Sequence, residues 1–289
     1  MFQNLKGMTP KGILISVGGA EDKGTDLEKG IIERNRLNFF ELGILKNLIS
    51  FLKEKTDRIE VITTASSIPD EVFDNYKDAF HKLGFENVGH LRVRDREEAL
   101  NSATLLALNN ANAIMFSGGN QLRLSSIFGG TPFLERVKER YENEEFVIGG
   151  TSAGAMAMSS TMIYEGNAGN AHLKGEVKIT TGLGFMNNVI IDSHFDKRGR
   201  FPRLAQAVAS NPGSLGIGLC EDTGIIVKNG TELKVIGSGA VYLVDGRGVL
   251  HSNIADIGFG EPISVQNLKV NILCKGNRYE MSTSTFHES

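Results

Sequence analysis

The sequence predicts an α/β fold: a mostly parallel sheet with helices on both faces, and extra antiparallel strands in the C-terminal half. Two observations carry the prediction. Over the first 160 residues, apolar runs of strand length alternate with segments whose apolar residues fall at helical spacing, the pattern of strands joined by crossover helices. After residue 175 the pattern changes to short strands separated by Gly and Asn turns, as in antiparallel pairs.

Gly12 to Val17 reads as the first strand, closed by Gly18-Gly19. Leu37 to Leu52 has helical apolar spacing. Ile59 to Thr64 is a second strand, and Ser67-Ile68-Pro69-Asp70 is a helix-start signal ahead of EVFDNYKDAFHKLG. Val88 to Val93 is a third strand, followed by the helical EEALNSATLLALNNA. Ala113 to Phe116 is a fourth, ending in Ser117-Gly118-Gly119-Asn120, and the helical FLERVKERYENE leads to a fifth at Phe146 to Ile148. Beyond 175, VKITTGLGF, NVIIDSHF, LGIGLCE, TGIIVKNG, TELKVIGSG and AVYLVDG read as short strands, interrupted by one helix near RLAQAVAS. No linker, low-complexity tract or fixed-period repeat divides the chain, so residues 1–289 read as one domain.

Bulk properties exclude several classes of function. A net charge of −3 gives no global attraction to nucleic acid or to an anionic membrane. Cys220 and Cys274 provide neither a disulfide framework nor metal-ligand spacing, so no metal is expected. The apolar run near the start, Ile13 to Val17, is too short for a signal-peptide core or a membrane span. The expectation is a cytoplasmic protein.

Ligands of open parallel sheets gather beyond the carboxyl ends of the strands. Three glycine-bearing turns end strands here: Gly18-Gly19-Ala20-Glu21-Asp22, Ser117-Gly118-Gly119-Asn120-Gln121 and Gly149-Gly150-Thr151-Ser152-Ala153-Gly154. A single such turn is an ordinary way to redirect a chain, but three at one sheet edge point to a site. None is a dinucleotide or phosphate-loop fingerprint.

The third turn fits G-x-S-x-G between a strand and a helix-forming segment, the context that exposes a serine hydroxyl on a strained turn. The Ala153 N–H, at the helix start, points where an oxyanion would form. A nucleophilic serine needs a base and a group to orient that base. Of the six histidines, His81 and His90 read as surface residues, His251 and His287 are late and polar-flanked, and His172 lies in a Gly/Asn-rich loop. His194 follows the apolar run Val189-Ile190-Ile191 at a strand end and is the preferred base. For the orienting acid, Asp192 is close in sequence. Glu221, at the end of Leu215 to Cys220, is preferred.

GGAEDK near the start, SGGNQ, GGTSAGA, DSHF with the following R-x-R and R, and CEDTG occur in one order over essentially the whole chain. Together they resemble the serine-peptidase family of the cyanophycinases and aspartyl dipeptidases, which has the fold of the class I glutamine amidotransferases. The resemblance implies Ser152 as nucleophile, His194 as base and Glu221 as acid. Gln121, Asp192, Ser193, Arg198, Arg200 and Arg203 would be substrate-binding, with the arginines as a carboxylate clamp. Ser193 departs from the pattern, because cyanophycinases tend to carry Gln there. Arg92, Arg94 and Arg96 have no such support and read as surface.

On that resemblance the expected reaction is acyl transfer without a cofactor, the oxyanion being received by Ala153 and the Gly118-Gly119 turn. The expected substrate is cyanophycin, a poly-aspartate bearing arginine on each side chain, released as β-Asp-Arg dipeptides. The family is commonly dimeric, which implies a homodimer. Three alternatives stay open at this stage: an aspartyl dipeptidase, an α/β-hydrolase esterase using His251 or His287, and a non-catalytic binding protein.

Overall fold

The computed structural model describes residues 9–23 and 43–288. Its centre is a nine-stranded sheet, half of it parallel. Strands β1 (Ile13–Val17), β2 (Ile59–Ile62), β3 (Val88–Leu91), β4 (Ala113–Phe116) and β5 (Val147–Thr151) run parallel in the order β1-β5-β4-β2-β3. Beyond β1 the sheet continues antiparallel through β10 (Thr223–Lys228), β11 (Glu232–Gly237), β16 (Arg278–Glu280) and β17 (Thr285–His287).

The central strands are apolar at successive positions because both of their faces are covered. Leu14, Ile114, Phe116 and Ile148 face one core, while Ile15, Ala113, Met115 and Val147 face the other. The second core is closed by α1 (Ile44–Ile49), through Ile44, Leu45 and Leu48, and by α2 (Pro69–Lys82), through Tyr76, Ala79 and Phe80. The first core is closed by α3 (Arg96–Leu100), α4 (Ser102–Asn110), α5 (Gln121–Phe128), α6 (Pro132–Asn143) and α7 (Ala153–Ala157).

A second sheet shares that first core. It has four strands in the order β15-β12-β9-β8: β8 (Val189–Asp192), β9 (Leu215–Leu219), β12 (Val241–Asp245) and β15 (Lys269–Leu273). β8 and β9 are parallel and joined by α8 (Phe201–Ser210); the remaining pairs are antiparallel. Two small hairpins complete the structure, β6 (Thr161–Glu165) with β7 (Lys178–Thr181), and β13 (His251–Ser252) with β14 (Val265–Gln266). No helix among the described residues is long and apolar enough to cross a membrane.

The predicted α/β class and its antiparallel C-terminal additions are present, with four differences of detail. The helix expected over 97–111 is two helices, because Asn101 adopts extended geometry and its side chain accepts from the Ala103 N–H to start α4. α5 was not expected from QLRLSSIF; Asn120 starts it by accepting from the Leu122 N–H. Of the helix expected over Leu37 to Leu52, residues 37–42 lie outside the described residues, and α1 occupies 44–49. Finally, the strands ending at Asp192 and Leu219 form a sheet of their own beside the main one.

Candidate active site

The three glycine-bearing turns do emerge at one edge of one sheet, since β1, β4 and β5 are parallel neighbours. The second sheet delivers its own strand ends to the same place. The link is the turn after β1. The Gly18 carbonyl accepts the His194 N–H at 2.8 Å, and the Gly19 carbonyl accepts the Asp222 N–H at 2.8 Å. The Val17 carbonyl accepts the Ser152 N–H at 2.9 Å. One short loop therefore ties together the backbones that carry Ser152, His194 and Glu221.

Ser152 sits between β5 and α7 with φ 52° and ψ −111°, a conformation that L-residues rarely adopt. His194 is also left-handed, at φ 47°. The Ser152 Oγ lies 2.9 Å from His194 Nε2, and His194 Nδ1 lies 3.2 Å from Glu221 Oε1. The imidazole is 18 % exposed and the Glu221 carboxylate 14 %, so both are accessible from one side only. Burial, the largest influence, holds the His194 pKa below its ordinary value; Arg198 and Arg200 act in the same direction and Glu221 opposes them. An imidazole with these neighbours is neutral, and able to accept a proton, at neutral pH.

The turn after β4 lies against the serine. A side chain at Gly118 would begin 3.4 Å from the Ser152 Cβ. Gly119, at φ +138°, has no room for one, because its Cβ would sit 2.1 Å from the Ala65 carbonyl oxygen. Among the described residues, the N–H groups of Gly118, Gly119 and Ala153 have no protein acceptor. Ala153 is buried, Gly118 half-buried and Gly119 exposed; N–H groups left without an acceptor beside a serine hydroxyl suit a transient anion.

The predicted substrate-binding residues separate into two groups. Asp192, Ser193, Arg200 and Arg203 are buried. Asp192 is fully enclosed and accepts from Arg203 Nε at 2.8 Å, from Arg203 Nη2, and from Arg200 Nη1 at 3.2 Å. Arg203 Nη1 also donates to the Gly166 carbonyl at 3.0 Å, and Arg200 to the Ser193 carbonyl at 2.5 Å. The Ser193 Oγ contacts the Met156 sulfur at 3.2 Å. This departs from the expectation of an open clamp. An aspartate buried at a strand end needs its charge matched locally, and two of the arginines meet that need. Burial lowers the Arg200 pKa to about 10, with Arg203 and Arg198 adding and Asp192 opposing, so Arg200 stays charged at neutral pH.

The other two, Gln121 and Arg198, are less buried. Arg198 is exposed on the turn that carries His194. Gln121, at the start of α5, donates its side-chain amide to the Ile163 and Tyr164 carbonyls at 3.0 and 3.1 Å. His251 and His287 lie in β13 and β17, elements that take no part in this cluster.

With this geometry established, comparison with known proteins decides the family. Residues 39–235 match peptidase family S51. The chain belongs to peptidase family S51. It is 35% identical over 275 residues to a cyanophycinase of Synechococcus elongatus, covering 94% of this chain and 80% of that protein. It is 34% identical over 275 residues to a cyanophycinase of Trichormus variabilis, covering 95% and 87%. A peptidase from an acI-B1 Actinobacterium has a similar fold, with TM-score 0.64 and 21% identity over 94% of this chain and 98% of that one. The resemblance read from the five motifs is thus borne out, and this S51 chain is a serine-type peptidase.

Some residues of the site were not read from the sequence. Glu21, in the β1 turn, is buried, accepts from the Tyr76 hydroxyl and accepts from the Thr151 hydroxyl at 2.6 Å. Burial, the largest influence, pushes its carboxyl upward. Lys23 and the hydrogen bonds from Thr151, Tyr76 and its own backbone outweigh burial and hold the carboxyl below its ordinary value. It anchors the residue immediately before Ser152. The signal available was an acid in GGAED, a stretch that reads as a turn and as one motif of the resemblance, with no role assigned to Glu21 itself. Arg94, read as surface, is half-buried and donates to the Thr63 and Ser66 carbonyls at 3.2 and 2.9 Å, bracing the loop that Gly119 packs against.

Proposed function

We infer that this S51 peptidase hydrolyses cyanophycin from a chain end to β-Asp-Arg dipeptides, through a Ser152–His194–Glu221 triad and an acyl-enzyme. The observation that carries the reading is the relay from Ser152 Oγ through His194 to Glu221, at 2.9 and 3.2 Å, in a chain whose curated relatives are cyanophycinases. In this reading His194 Nε2 takes the Ser152 proton as Oγ bonds to the scissile carbonyl carbon, and the carbonyl electron pair moves to oxygen. The oxyanion is received by the N–H groups of Ala153 and the Gly118-Gly119 turn, each donor lowering the barrier by about 3 kcal/mol. Glu221 accepts from the imidazole Nδ1–H and stabilises the cation. Collapse expels the amine, which leaves with the proton held at His194 Nε2. Water, deprotonated by the same nitrogen, then releases the acyl group and restores Ser152.

On the substrate side, Arg198 is, among the described arginines of this turn, the one exposed to meet a carboxylate, and Gln121 borders the mouth. Arg200, Arg203, Asp192 and Ser193 shape the wall behind the base. The same reading takes the fold as that of the class I glutamine amidotransferases and the chain as one peptidase domain. Its support is the strand–serine–helix turn on a parallel sheet and the core common to both sheets.

The test is incubation of the protein with purified cyanophycin, with the soluble products identified by mass, beside Ser152→Ala as a control. Release of β-Asp-Arg by the wild type alone is the expected result. Cleavage of short aspartyl peptides without attack on the polymer would replace the substrate by that of an aspartyl dipeptidase. Equal activity of Ser152→Ala would remove the covalent mechanism.

A further inference from the structure

The charge run Lys197-Arg198-Gly199-Arg200 is wound into one tight turn after β8. The His194 carbonyl accepts the Arg198 N–H at 3.2 Å, and the Phe195 carbonyl accepts the Arg200 N–H at 3.0 Å. Its three charged members do different things. Arg200 turns inward to Asp192 and Arg198 outward to solvent. Lys197, three residues after the base, folds back so that its Nζ contacts Glu221 Oε2. Oε1 of the same carboxylate faces His194 Nδ1. Oε2 is buried and has no hydrogen-bond partner among the described residues, so Lys197 meets it as a counter-charge. The Glu221 carboxylate is therefore held at both oxygens by side chains of a single turn.

We propose that Lys197 is a positioning residue of this peptidase, a cation that clamps Glu221 from the side opposite His194 and moderates the charge the imidazole feels. The proposal rests on the triad reading above. Without the clamp, Glu221 has one contact instead of two and more rotational freedom, so it orients the imidazole less well. Its negative charge, no longer partly neutralised, also stabilises the imidazolium more strongly, which raises the pKa of the base. The charged groups around that base are Glu221, Arg198 and Arg200, with Lys197 behind Glu221. The adjoining turns bring Asp22 and Asp222, linked to each other at 3.4 Å, the Asp222 carboxylate also accepting from Ser238. Lys197 is about half exposed, so its influence is screened by salt.

The experiment follows the second-order rate of inactivation by a fluorophosphonate against pH, with the labelled residue identified by mass. This readout needs no peptide substrate. Lys197→Met keeps the aliphatic stem and removes the charge, and Lys197→Arg restores the charge. The expected result for Lys197→Met is a plateau lower by roughly two- to tenfold and an acid limb moved to higher pH by roughly half a unit. The shift should shrink in high salt and be largely reversed in Lys197→Arg. In a Glu221→Gln background Lys197→Met should change little, which a merely structural role would not predict. Labelling of Ser152 with an unmoved limb in Lys197→Met overturns the proposal and leaves the triad standing. Absence of label at Ser152 in the wild type overturns both.

Discussion

Replacing Gly19 by alanine should disable the site without unfolding the protein. Gly19 holds φ +112°, and a Cβ built there would lie 2.3 Å from His194 Cε1, 2.6 Å from Nε2 and 3.0 Å from Nδ1. Carbon atoms in comfortable contact stay about 3.5–4.0 Å apart. The imidazole must therefore retreat by more than about 1 Å, since the methyl is fixed to a backbone that also binds Asp222. Starting from 2.9 Å, that retreat carries Nε2 out of hydrogen-bond reach of Ser152 Oγ. A misplacement of this size costs about 100-fold in rate. The left-handed backbone adds strain of about 1–3 kcal/mol, enough to lower the urea midpoint but small against the stability of a folded domain. The assay pairs kcat/KM on cyanophycin with a urea titration of the same preparation. Folded Gly19→Ala protein with kcat/KM within about threefold of wild type would refute the reasoning, because the imidazole would then have found room that the geometry denies it.

Two further outcomes follow from the same site. The His194 pKa is lowered in the folded enzyme, chiefly by burial, so the acid limb of kcat/KM should titrate below the ordinary histidine value of about 6.5; a limb above it would argue against this environment. The arginines should separate by role: Arg203→Ala strands part of the charge on the enclosed Asp192 and should cost about 3 kcal/mol in urea or thermal unfolding, whereas exposed Arg198→Ala should leave stability unchanged and lower kcat/KM. Equal stability of the two variants would return Arg203 to the solvated surface.

The strand runs, the turn around Ser152 and the positions of His194 and Glu221 after apolar runs were legible from the sequence alone, because each depends on local order. An apolar run of four to six residues ending in Gly or Asp identifies a strand end wherever the strand pairs, and G-x-S-x-G between strand and helix is a local backbone device. Which strands pair is a different matter. VIID and LGIGL look much like IEVI and AIMF in the sequence, yet the first two leave the main sheet and build a second one. Side-chain direction was equally hidden. The run KRGRFPR reads as one basic cluster, but the turn around φ +47° at His194 sends Lys197 to Glu221, Arg198 to solvent, and Arg200 and Arg203 to a buried aspartate. Only the tertiary structure decides this, because the order of residues does not say which carboxylate each cation meets: Asp192 at the end of β8 for Arg200 and Arg203, a carboxylate from a different element for Lys197. For Lys197 that partner, Glu221, lies on the crossover between the two sheets. Gly19 makes the same point at its smallest scale: its sequence calls for a turn, while the imidazole pressed against its α-carbon is what forbids any other residue.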